Sequence, residues 1–355
     1  MTTDAASLDA LRTEVDAALR KFVERQLPAP GDTELEPLRA AADDLLSGGK
    51  RLRPAFCYWG WRGAGGTDVP EIFTAAASLE LLQASALVHD DVMDKSDLRR
   101  GMPSAHRRFQ AIHEKSAWHG SAEQFGEGAA ILLGNLLLIW SGEMWRSSGL
   151  PPESLAAAQP VHDHMRTELM CGQYLDLLEQ AHGENTFESA LRVALYKSGK
   201  YSVEQPLRLG LVLATGGLAP WMDELCMEYG RRVGIAFQLR DDILGVFGDP
   251  AQTGKPAGDD LREGKRTMLV ARTLAAASPG DAETVRALLG DPGLDEHGVS
   301  VLRGIIEGTG ALRACEDMIG DYLAEALTFL GKAPITPEAR AALSSLAVAA
   351  TSRTT

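Results

Sequence analysis

Apolar residues recur at the spacing of an α-helix along almost the whole chain. Such runs predict helices, and a glycine or proline just beyond a run marks its end. No alternating strand pattern is longer than four residues, so the chain is expected to be all-α. The helical runs cover Leu8–Leu27, Thr33–Leu46, Ile72–Met93, Phe125–Trp145, Leu155–Gln180, Thr186–Lys197, Val203–Ala214 and Met222–Phe247.

Residues 249–265 are rich in Gly, Pro, Asp and Lys and predict a loop around a site. Helical patterns resume at Arg266, and no change in composition marks a linker between domains. We therefore expect residues 1–355 to form a single domain, a bundle of roughly a dozen helices around a central cavity.

The acidic balance of the chain narrows the classes of function. The formal net charge is −14 at pH 7, which argues against nonspecific binding to nucleic acid or anionic membranes. The four cysteines are far apart, as expected for reduced thiols in a cytosol. No secretion signal is visible, and the longest apolar run, at 131–140, is too short to span a membrane. We expect a cytoplasmic protein without stable membrane insertion.

Three aspartates, Asp90, Asp91 and Asp94, stand at the C-terminal end of an apolar helix. Asp90 and Asp94 are four residues apart, so their carboxylates face the same way, one turn apart. Like charges at this spacing destabilise a helix by about 0.2–0.5 kcal/mol, and carboxylates at this end oppose the helix dipole. The placement favours a neutralising cation, and Mg²⁺ prefers carboxylate and phosphate oxygens. A solvated acidic helix end is the alternative.

A second acidic cluster makes the metal hypothesis stronger. Asp241 and Asp242 again lie late in a long apolar helix, with Gln238 one turn before Asp241 on the same face. Gly245 stands at the position that matches Asp94, so this motif has one carboxylate fewer. Two such helices facing each other could hold several Mg²⁺ ions around one diphosphate.

Basic residues near these motifs could bind the phosphate groups whose charge the metal ions do not neutralise. Three cations directly follow the glycines at 48 and 49, and glycine lets the backbone approach an anion closely. Each cation alone fits a solvated surface residue, but the set beside two acidic motifs indicates a diphosphate site. The set comprises Lys50, Arg51, Arg53, Arg99, Arg100, Lys197, Lys200, Lys255 and Lys265.

Six ordered segments resemble the motifs of the trans-isoprenyl diphosphate synthase, or polyprenyl synthetase, family. They span about residues 44–267, and the resemblance is greatest to bacterial geranylgeranyl diphosphate synthases. It implies an isoprenoid synthase-like fold, a homodimer and a prenyltransferase activity. The segments are GGKRLRP at 48–54, LLQASALVHDDVMDKSDLRRG at 81–101, GQYLDL at 172–177, YKSGKY at 196–201, FQLRDDILGVFGDP at 237–250 and TGKPAGDDLREGKRT at 253–267.

The resemblance also implies a role for each group. Three Mg²⁺ ions would be held by Asp90, Asp94 and Asp241, with support from Asp91 and Asp242. The allylic diphosphate would be bound by Arg99, Lys197 and Lys255, with Lys265 close by. The diphosphate of isopentenyl diphosphate would be bound by Lys50, Arg53, Gln83 and Arg100, with Arg51 nearby. The dipoles of Ser198 and Gln238 would face the developing carbocation.

The expected reaction condenses isopentenyl diphosphate with a dimethylallyl, geranyl or farnesyl diphosphate. The allylic C–O bond breaks to leave diphosphate and an allylic cation, the isopentenyl double bond attacks, and a proton is lost. Metals and fixed cations stabilise the leaving group where its charge develops. Apolar helices keep water away from the cation.

The residues deeper in the first acidic helix predict the length of the product. Ser85 and Ala86 lie roughly 6–7.5 Å below Asp90 along the helix, and Leu82 comes next. In family members that stop at fifteen carbons, bulky aromatic residues usually occupy one or both of the first two positions. The small residues here predict a longer product, geranylgeranyl diphosphate. Alternatively, Ser85 and Ala86 only allow close helix packing.

Two positions depart from the family pattern, Gly245 and Asn135, the latter standing where aspartate is frequent. A class I terpene cyclase on the same fold is one alternative, although the GGKRLRP segment and the second acidic motif argue against it. A non-catalytic regulatory subunit of a prenyl synthase is another. Such a subunit would be expected to have lost aspartates that this chain retains.

Overall fold

A computed structural model describes residues 2–26, 33–183, 186–250, 258–291 and 293–352. The structure is 79% helical, which confirms the all-α prediction. The first half contains helices α1 (Thr2–Val23), α2 (Glu36–Leu46), α3 (Leu52–Gly63), α4 (Pro70–Met93), α5 (Ala105–Lys115), α6 (Ala122–Arg146) and α7 (Pro152–His182). Two short antiparallel strands, β1 (Leu98–Arg99) and β2 (Met102–Pro103), follow α4, with Leu98 opposite Pro103.

The second half continues with α8 (Phe187–Ala194), a π-helical segment π1 (Leu195–Glu204), α9 (Gln205–Thr215), α10 (Pro220–Leu225) and a second π-helical segment π2 (Cys226–Arg231). It ends with α11 (Arg232–Phe247), α12 (Asp259–Arg262), α13 (Met268–Ala276), α14 (Pro279–Leu288), α15 (Glu296–Gly308), α16 (Ala311–Leu330) and α17 (Pro337–Thr351).

The long helices agree with the periodic runs. The helical spacing does not predict two short helices, and it does not show that α8 continues into α9. The run at 186–197 and the run at 203–214 belong to one continuous helical stretch, because π1 joins α8 to α9. Helix α3 was not predicted, since nine of its twelve residues are buried and a helix buried all round shows no apolar stripe. Helix α5 was not predicted either.

Buried apolar side chains form two clusters, and α11 contributes to both. The larger cluster includes Val233, and the smaller includes Ala236 and Leu239 from the next turn. Helices α4 and α6 are long and apolar enough to cross a membrane by length and composition, yet the apolar window of α4 is 67% buried inside the fold. These two helices pack along each other within the larger cluster.

Gly134 makes room for a side chain where α4 packs against α6. A Cβ at Gly134 would lie 2.3 Å from the Nε2 of His89, so a larger residue would require this ring to move. The His89 Nε2 lies 3.3 Å from the carbonyl oxygen of Ile131. His89 therefore belongs to the packing between the two helices and holds the end of α4 against α6.

Candidate active site

A cavity of about 830 Å³ is lined by residues of α4, α7, α8, π1, α11 and α12 and of the segments beside them. Charged and polar residues line it together with apolar side chains from α4, α7, α8 and α11. The charged and polar lining includes Lys50, Arg53, Glu80, Gln83, Asp90, Arg99, Arg100, Gln173, Asp176, Lys197, Ser198, Gln238, Asp241, Asp242, Asp260, Lys265 and Arg266. The apolar lining includes Ala86, Leu87, Leu169, Ala190, Val193, Ala194, Phe237 and Leu244.

Asp90 lies at the centre of a network of cations and amides. The Nζ of Lys197 donates to its Oδ1 at 2.8 Å, and the amide of Gln173 donates to the same oxygen at 2.9 Å. Burial alone would raise the pKa of Asp90, but Lys197, Lys265 and Arg99 outweigh burial and hold the pKa well below its ordinary value. Asp90 is therefore an anion at neutral pH.

Asp91 does not face the cavity. Its carboxylate is buried and accepts two hydrogen bonds from the Nε of Arg99, at 3.0 and 3.3 Å, and another from Nη2. A bidentate arginine fixes both groups in one geometry. Asp91 therefore holds Arg99 at the cavity wall.

Asp94 is the least satisfied carboxylate of the site. Its side chain is only 2% exposed, and neither carboxylate oxygen accepts a hydrogen bond. The Nζ of Lys265 lies 3.3 Å from its Oδ2 without hydrogen-bond geometry. Burial, with the neighbouring charge of Asp90, raises the pKa of Asp94 to about 6. A buried carboxylate without donors is costly unless a cation accompanies it.

The second acidic motif divides into an inner and an outer residue. Asp242 is buried, and it accepts from the amide of Gln238 at 2.8 Å and from the backbone N–H of Met268 at 3.2 Å. Burial is the main reason why its pKa is raised to about 7. Asp241 is the outer residue and lines the cavity. Gln238 also lines the cavity, while its NH₂ group is used to hold Asp242.

The carboxylate of Asp260 covers Gly245, the position where the second motif departs from the family. A Cβ at Gly245 would lie 1.9 Å from the Oδ2 of Asp260. Asp260 comes from α12, lines the same cavity and lies 3.7 Å from the Nζ of Lys265. The side of α11 that lacks a third aspartate therefore still faces a carboxylate.

The other departure, Asn135, lies outside the cavity. It is exposed on the outer face of α6, and it takes no part in the lining.

Glycine at 172 sets the position of Lys197. A Cβ there would lie 2.2 Å from the backbone nitrogen of Lys197, so α7 and π1 touch through their backbones. One turn further along α7, the Oδ2 of Asp176 then lies 2.6 Å from the Nζ of Lys197. Segment π1 also places Ser198 in the cavity lining, and π-helical turns often occur at functional sites.

The basic residues after the glycines line the cavity, and one of them, Arg51, also has a structural role. The guanidinium of Arg51 is buried and donates to Asp16 at 2.7 Å, to Glu80 at 2.8 Å and to the carbonyl of Leu46. Arg51 also lines the cavity, so its place near a bound diphosphate stays a prediction. Its contacts with Asp16 and Glu80 secure the start of α3 to α1 and α4.

Arg53 and Arg100 retain capacity to bind an anion in the cavity. Arg53 lies over the ring of Tyr201, donates to Ser202 at 2.7 Å and has a buried Nε without a hydrogen-bond partner. Arg100 donates to the carbonyl of Ser47 at 3.1 Å. Burial and the nearby arginines lower the pKa of Arg100, which reflects a crowded positive region. Lys50 and Gln83 line the same wall. Lys255, predicted to bind the allylic diphosphate, lies outside the described residues.

The predicted chain-length residues do not all reach the cavity. Ala86 lines it, but Ser85 and Leu82 are fully buried and are absent from the lining. The cavity face of α4 passes through Gln83, Ala86 and Asp90, which are three to four residues apart. Ala86 is the residue of the three that lines this cavity, and the role of Ser85 and Leu82 in chain length stays a prediction.

The cavity lining also includes residues that were not among the predicted site residues. Gln173 and Asp176 both contact the central cluster, and their spacing of three within a helical segment was a usable signal. Asp260 lies within the predicted loop at 249–265 and Arg266 directly follows it, but their spacing did not show that these two residues line the cavity.

The carboxylates could hold a metal, although cations lie between them. Within the described ranges, no three carboxylate, histidine or cysteine groups converge on one point. Lys197, Arg99 and Lys265 lie between the acids. The oxygen donors and the unsatisfied carboxylate of Asp94 nevertheless fit a hard cation such as Mg²⁺.

Several known proteins are similar to this chain in sequence and fold. A geranylgeranyl pyrophosphate synthase from Corynebacterium glutamicum, solved with isoprenyl diphosphate and magnesium, is 39% identical with a TM-score of 0.91, covering 98% of this chain and 99% of that one. The geranylfarnesyl diphosphate synthase of Aeropyrum pernix is 33% identical over 82% of this chain and 85% of its own length. The geranylgeranyl diphosphate synthase of Methanosarcina mazei is 32% identical over 73% and 72%. The family model for polyprenyl synthetase matches residues 35–303, and the chain belongs to this family of trans-prenyl diphosphate synthases.

Proposed function

We propose that the chain condenses an allylic diphosphate with isopentenyl diphosphate and releases geranylgeranyl diphosphate. The observation that carries the proposal is that Asp90, Asp241 and several cations line one cavity that apolar side chains also line. Diphosphates need the charged part, and a growing prenyl chain needs the apolar part. The names of the relatives include more than one chain length, so the proposed length of the product is argued from the residues that line the cavity.

Asp90, Asp94 and Asp241 are proposed to hold Mg²⁺. Asp94 supports this proposal most directly, because its two buried oxygens have no donor. Asp91 and Asp242 would support these ligands indirectly. Asp91 accepts a hydrogen bond from Arg99 and so positions it, and Asp242 does the same for Gln238. Bound Mg²⁺, three ions in the proposal, would neutralise the diphosphate oxygens and so favour their departure.

The cations of the cavity would bind two diphosphates at different walls. Lys197, Arg99 and Lys265 lie among the acidic residues and suit the allylic diphosphate, with Lys255 as a further expected contact. Lys50, Arg53, Gln83 and Arg100 line the wall that follows the glycines and suit isopentenyl diphosphate. Fixed cations at both ends would orient the two substrates before reaction.

Ionisation of the allylic bond requires a polar but water-poor surrounding. Ser198 and Gln238 would direct their oxygen dipoles at the positive carbon, while Phe237 and the alanines of α8 exclude water. Stabilisation of the departing diphosphate by fixed charges is the main catalytic contribution of the chain. The released diphosphate is proposed to accept the proton in the last step.

A twenty-carbon product is supported by Ala86. This residue is one turn below Asp90 on the cavity face of α4, and its methyl group leaves the apolar space open. A large ring at the same position would end chain growth earlier.

A homodimer is proposed through the outer face of α6. Phe125, Leu132 and Ile139 are seven residues apart and exposed, with Leu132 65% and Ile139 63% accessible. Asn135 lies in the same stripe. Apolar residues at this spacing form a seam for a partner helix, and a single polar residue can fix its register. We also propose that residues 1–355 act as one domain, since α11 contributes to both apolar clusters. A cytoplasmic location without stable membrane insertion is proposed from the sequence alone.

Product analysis tests the proposed function. The purified protein is incubated with Mg²⁺, isopentenyl diphosphate and, in turn, the five-, ten- and fifteen-carbon allylic diphosphates. We expect geranylgeranyl diphosphate from each starter that is accepted. Absence of any prenyl diphosphate would favour the regulatory subunit, and a hydrocarbon from geranylgeranyl diphosphate alone would favour a cyclase.

A further inference from the structure

The cations on the acidic side of the cavity have carboxylate partners. Lys197 contacts Asp90 and Asp176, and Arg99 is bidentate to Asp91. The Nζ of Lys265 lies 2.7 Å from the Oε2 of Glu263, in addition to its contact with Asp94. These pairs neutralise the acids of the site and also occupy the cations.

Arg266 differs from these cations. It is half-buried and lines the cavity, yet its Nε is buried without a hydrogen-bond partner. Burial lowers the pKa of Arg266, and no neighbouring carboxylate counteracts this effect. Desolvating a guanidinium without a counter-charge is costly. An anionic ligand in the cavity would supply the missing partner.

The neighbours of Arg266 indicate which ligand it would meet. It directly follows Lys265, which contacts Asp94, and it is two residues before Met268, whose backbone N–H donates to Asp242. Arg266 is therefore close in the chain to contacts with both acidic motifs, whereas the wall with Lys50 and Arg53 comes from the other end of the sequence.

We propose that Arg266 is a further substrate-binding residue that contacts the diphosphate of the allylic substrate. A planar guanidinium can donate two parallel hydrogen bonds to phosphate oxygens, which a lysine cannot do. The proposal rests on the proposed function for the identity of the substrate. It adds a cation that is not consumed by a carboxylate of the protein.

A second arginine in the same segment provides a matched control. The Nη2 of Arg262 lies 3.0 Å from the Oε1 of Glu296, and its Nε donates to the carbonyl of Leu294 at 3.3 Å. Arg262 does not take part in the cavity lining. It carries the same charge four residues away but has protein partners.

The test compares Arg266→Gln, Arg266→Lys and Arg262→Gln with the unmodified protein. Calorimetry with inorganic pyrophosphate and Mg²⁺ should give about tenfold weaker binding for Arg266→Gln, as for the loss of a hydrogen bond to a charged group. Arg266→Lys should be intermediate, and Arg262→Gln should bind normally. In kinetics, Arg266→Gln should raise KM for the allylic diphosphate about tenfold and KM for isopentenyl diphosphate less than about twofold.

Two results would overturn the proposal. One is an unchanged affinity for pyrophosphate in Arg266→Gln, provided that its melting temperature shows a folded protein. The other is a rise in KM for isopentenyl diphosphate alone, which would place Arg266 at the other diphosphate. If the unmodified protein binds pyrophosphate but forms no product, the proposed function fails, while the binding result still decides the role of Arg266 toward diphosphate.

Discussion

Asp176 and Lys197 form an ion pair in which the Oδ2 of Asp176 lies 2.6 Å from the Nζ of Lys197. The same ammonium group also donates to Asp90. Lys197 is thus held from two sides, by α7 and by α4. The pair connects the GQYLDL segment to the first acidic motif and gives that segment a physical reason to be part of the site.

Removing the charge of Asp176 should weaken the contact that holds the Lys197 ammonium group in place, while Lys197 itself is retained. We expect Asp176→Asn to lower kcat/KM for the allylic diphosphate about tenfold, since a hydrogen bond between charged groups is replaced by a weaker one. The matched control is Asp163→Asn on the same helix, where Asp163 pairs with Arg166 near the surface. Steady-state kinetics and melting curves measure both effects. An equal loss in the two variants would contradict the special role of Asp176.

The wall of the cavity predicts how the product can be shortened. Ala86→Phe should shift the product from twenty toward fifteen carbons, because the ring would fill the apolar space one turn below Asp90. Chromatography of the dephosphorylated products measures the distribution. Ser85→Phe is the control: Ser85 is fully buried outside the cavity, so a ring there should lower the melting temperature without a selective shortening. The opposite pattern would show that Ser85 faces the chain.

A buried histidine predicts a loss of stability in acid. His162 is 1% exposed and stacks on Trp145 at 4.5 Å, and burial lowers its pKa from 6.5 to about 3. Because the folded pKa is lower than the unfolded value, the contribution to stability is complete above pH 6.5 and is lost as pH falls toward 3. The loss should approach about 1.4 kcal/mol per pH unit below the unfolded pKa.

Melting curves between pH 7.5 and 4.5 test this dependence. The variant His162→Phe can retain the stacking on Trp145 and should lose less stability than the unmodified protein as the pH falls. The exposed His297 on α15 is the control, and His297→Phe should follow the unmodified protein. Identical slopes for His162→Phe and the unmodified protein would show that other groups determine the acid sensitivity.

The stripe on α6 predicts the effect of one added charge on assembly. Leu132→Glu should convert a dimer into a monomer of 38.0 kDa, because a carboxylate in the apolar seam would lose its hydration. Light scattering after size-exclusion chromatography measures the mass. Leu218→Glu, at an exposed leucine away from α6, should leave the dimer intact. A monomeric unmodified protein would contradict the proposed interface.

The general position of the site could be predicted from the sequence because its main contacts repeat at helical spacing. Asp90 lies in the last turn of α4 and Asp94 is the residue that caps this helix. Gln238 and Asp242 are one turn apart on α11, where they form a hydrogen bond. Periodicity within one helix is a local property, so it does not depend on how the helices are arranged.

The details that could not be predicted depend on contacts between distant segments. Arg51 pairs with Asp16 and Glu80, which are 35 and 29 residues away. Helical spacing also does not show which of two adjacent residues lines the cavity; of Ser85 and Ala86, only Ala86 does so. Similarly, the carboxylate of Asp260 over Gly245 depends on the path of the chain after α11.

The pairing of Lys265 with Asp94 has a consequence for the order of binding. With an internal ammonium group beside this carboxylate, the acidic pocket can fold without waiting for a divalent ion. If Asp94 holds Mg²⁺ as proposed, Lys265 would have to give up this contact, and its ammonium group would then need another anion. A diphosphate bound with the metal would provide one, so we expect metal and diphosphate together to bind more tightly than either alone.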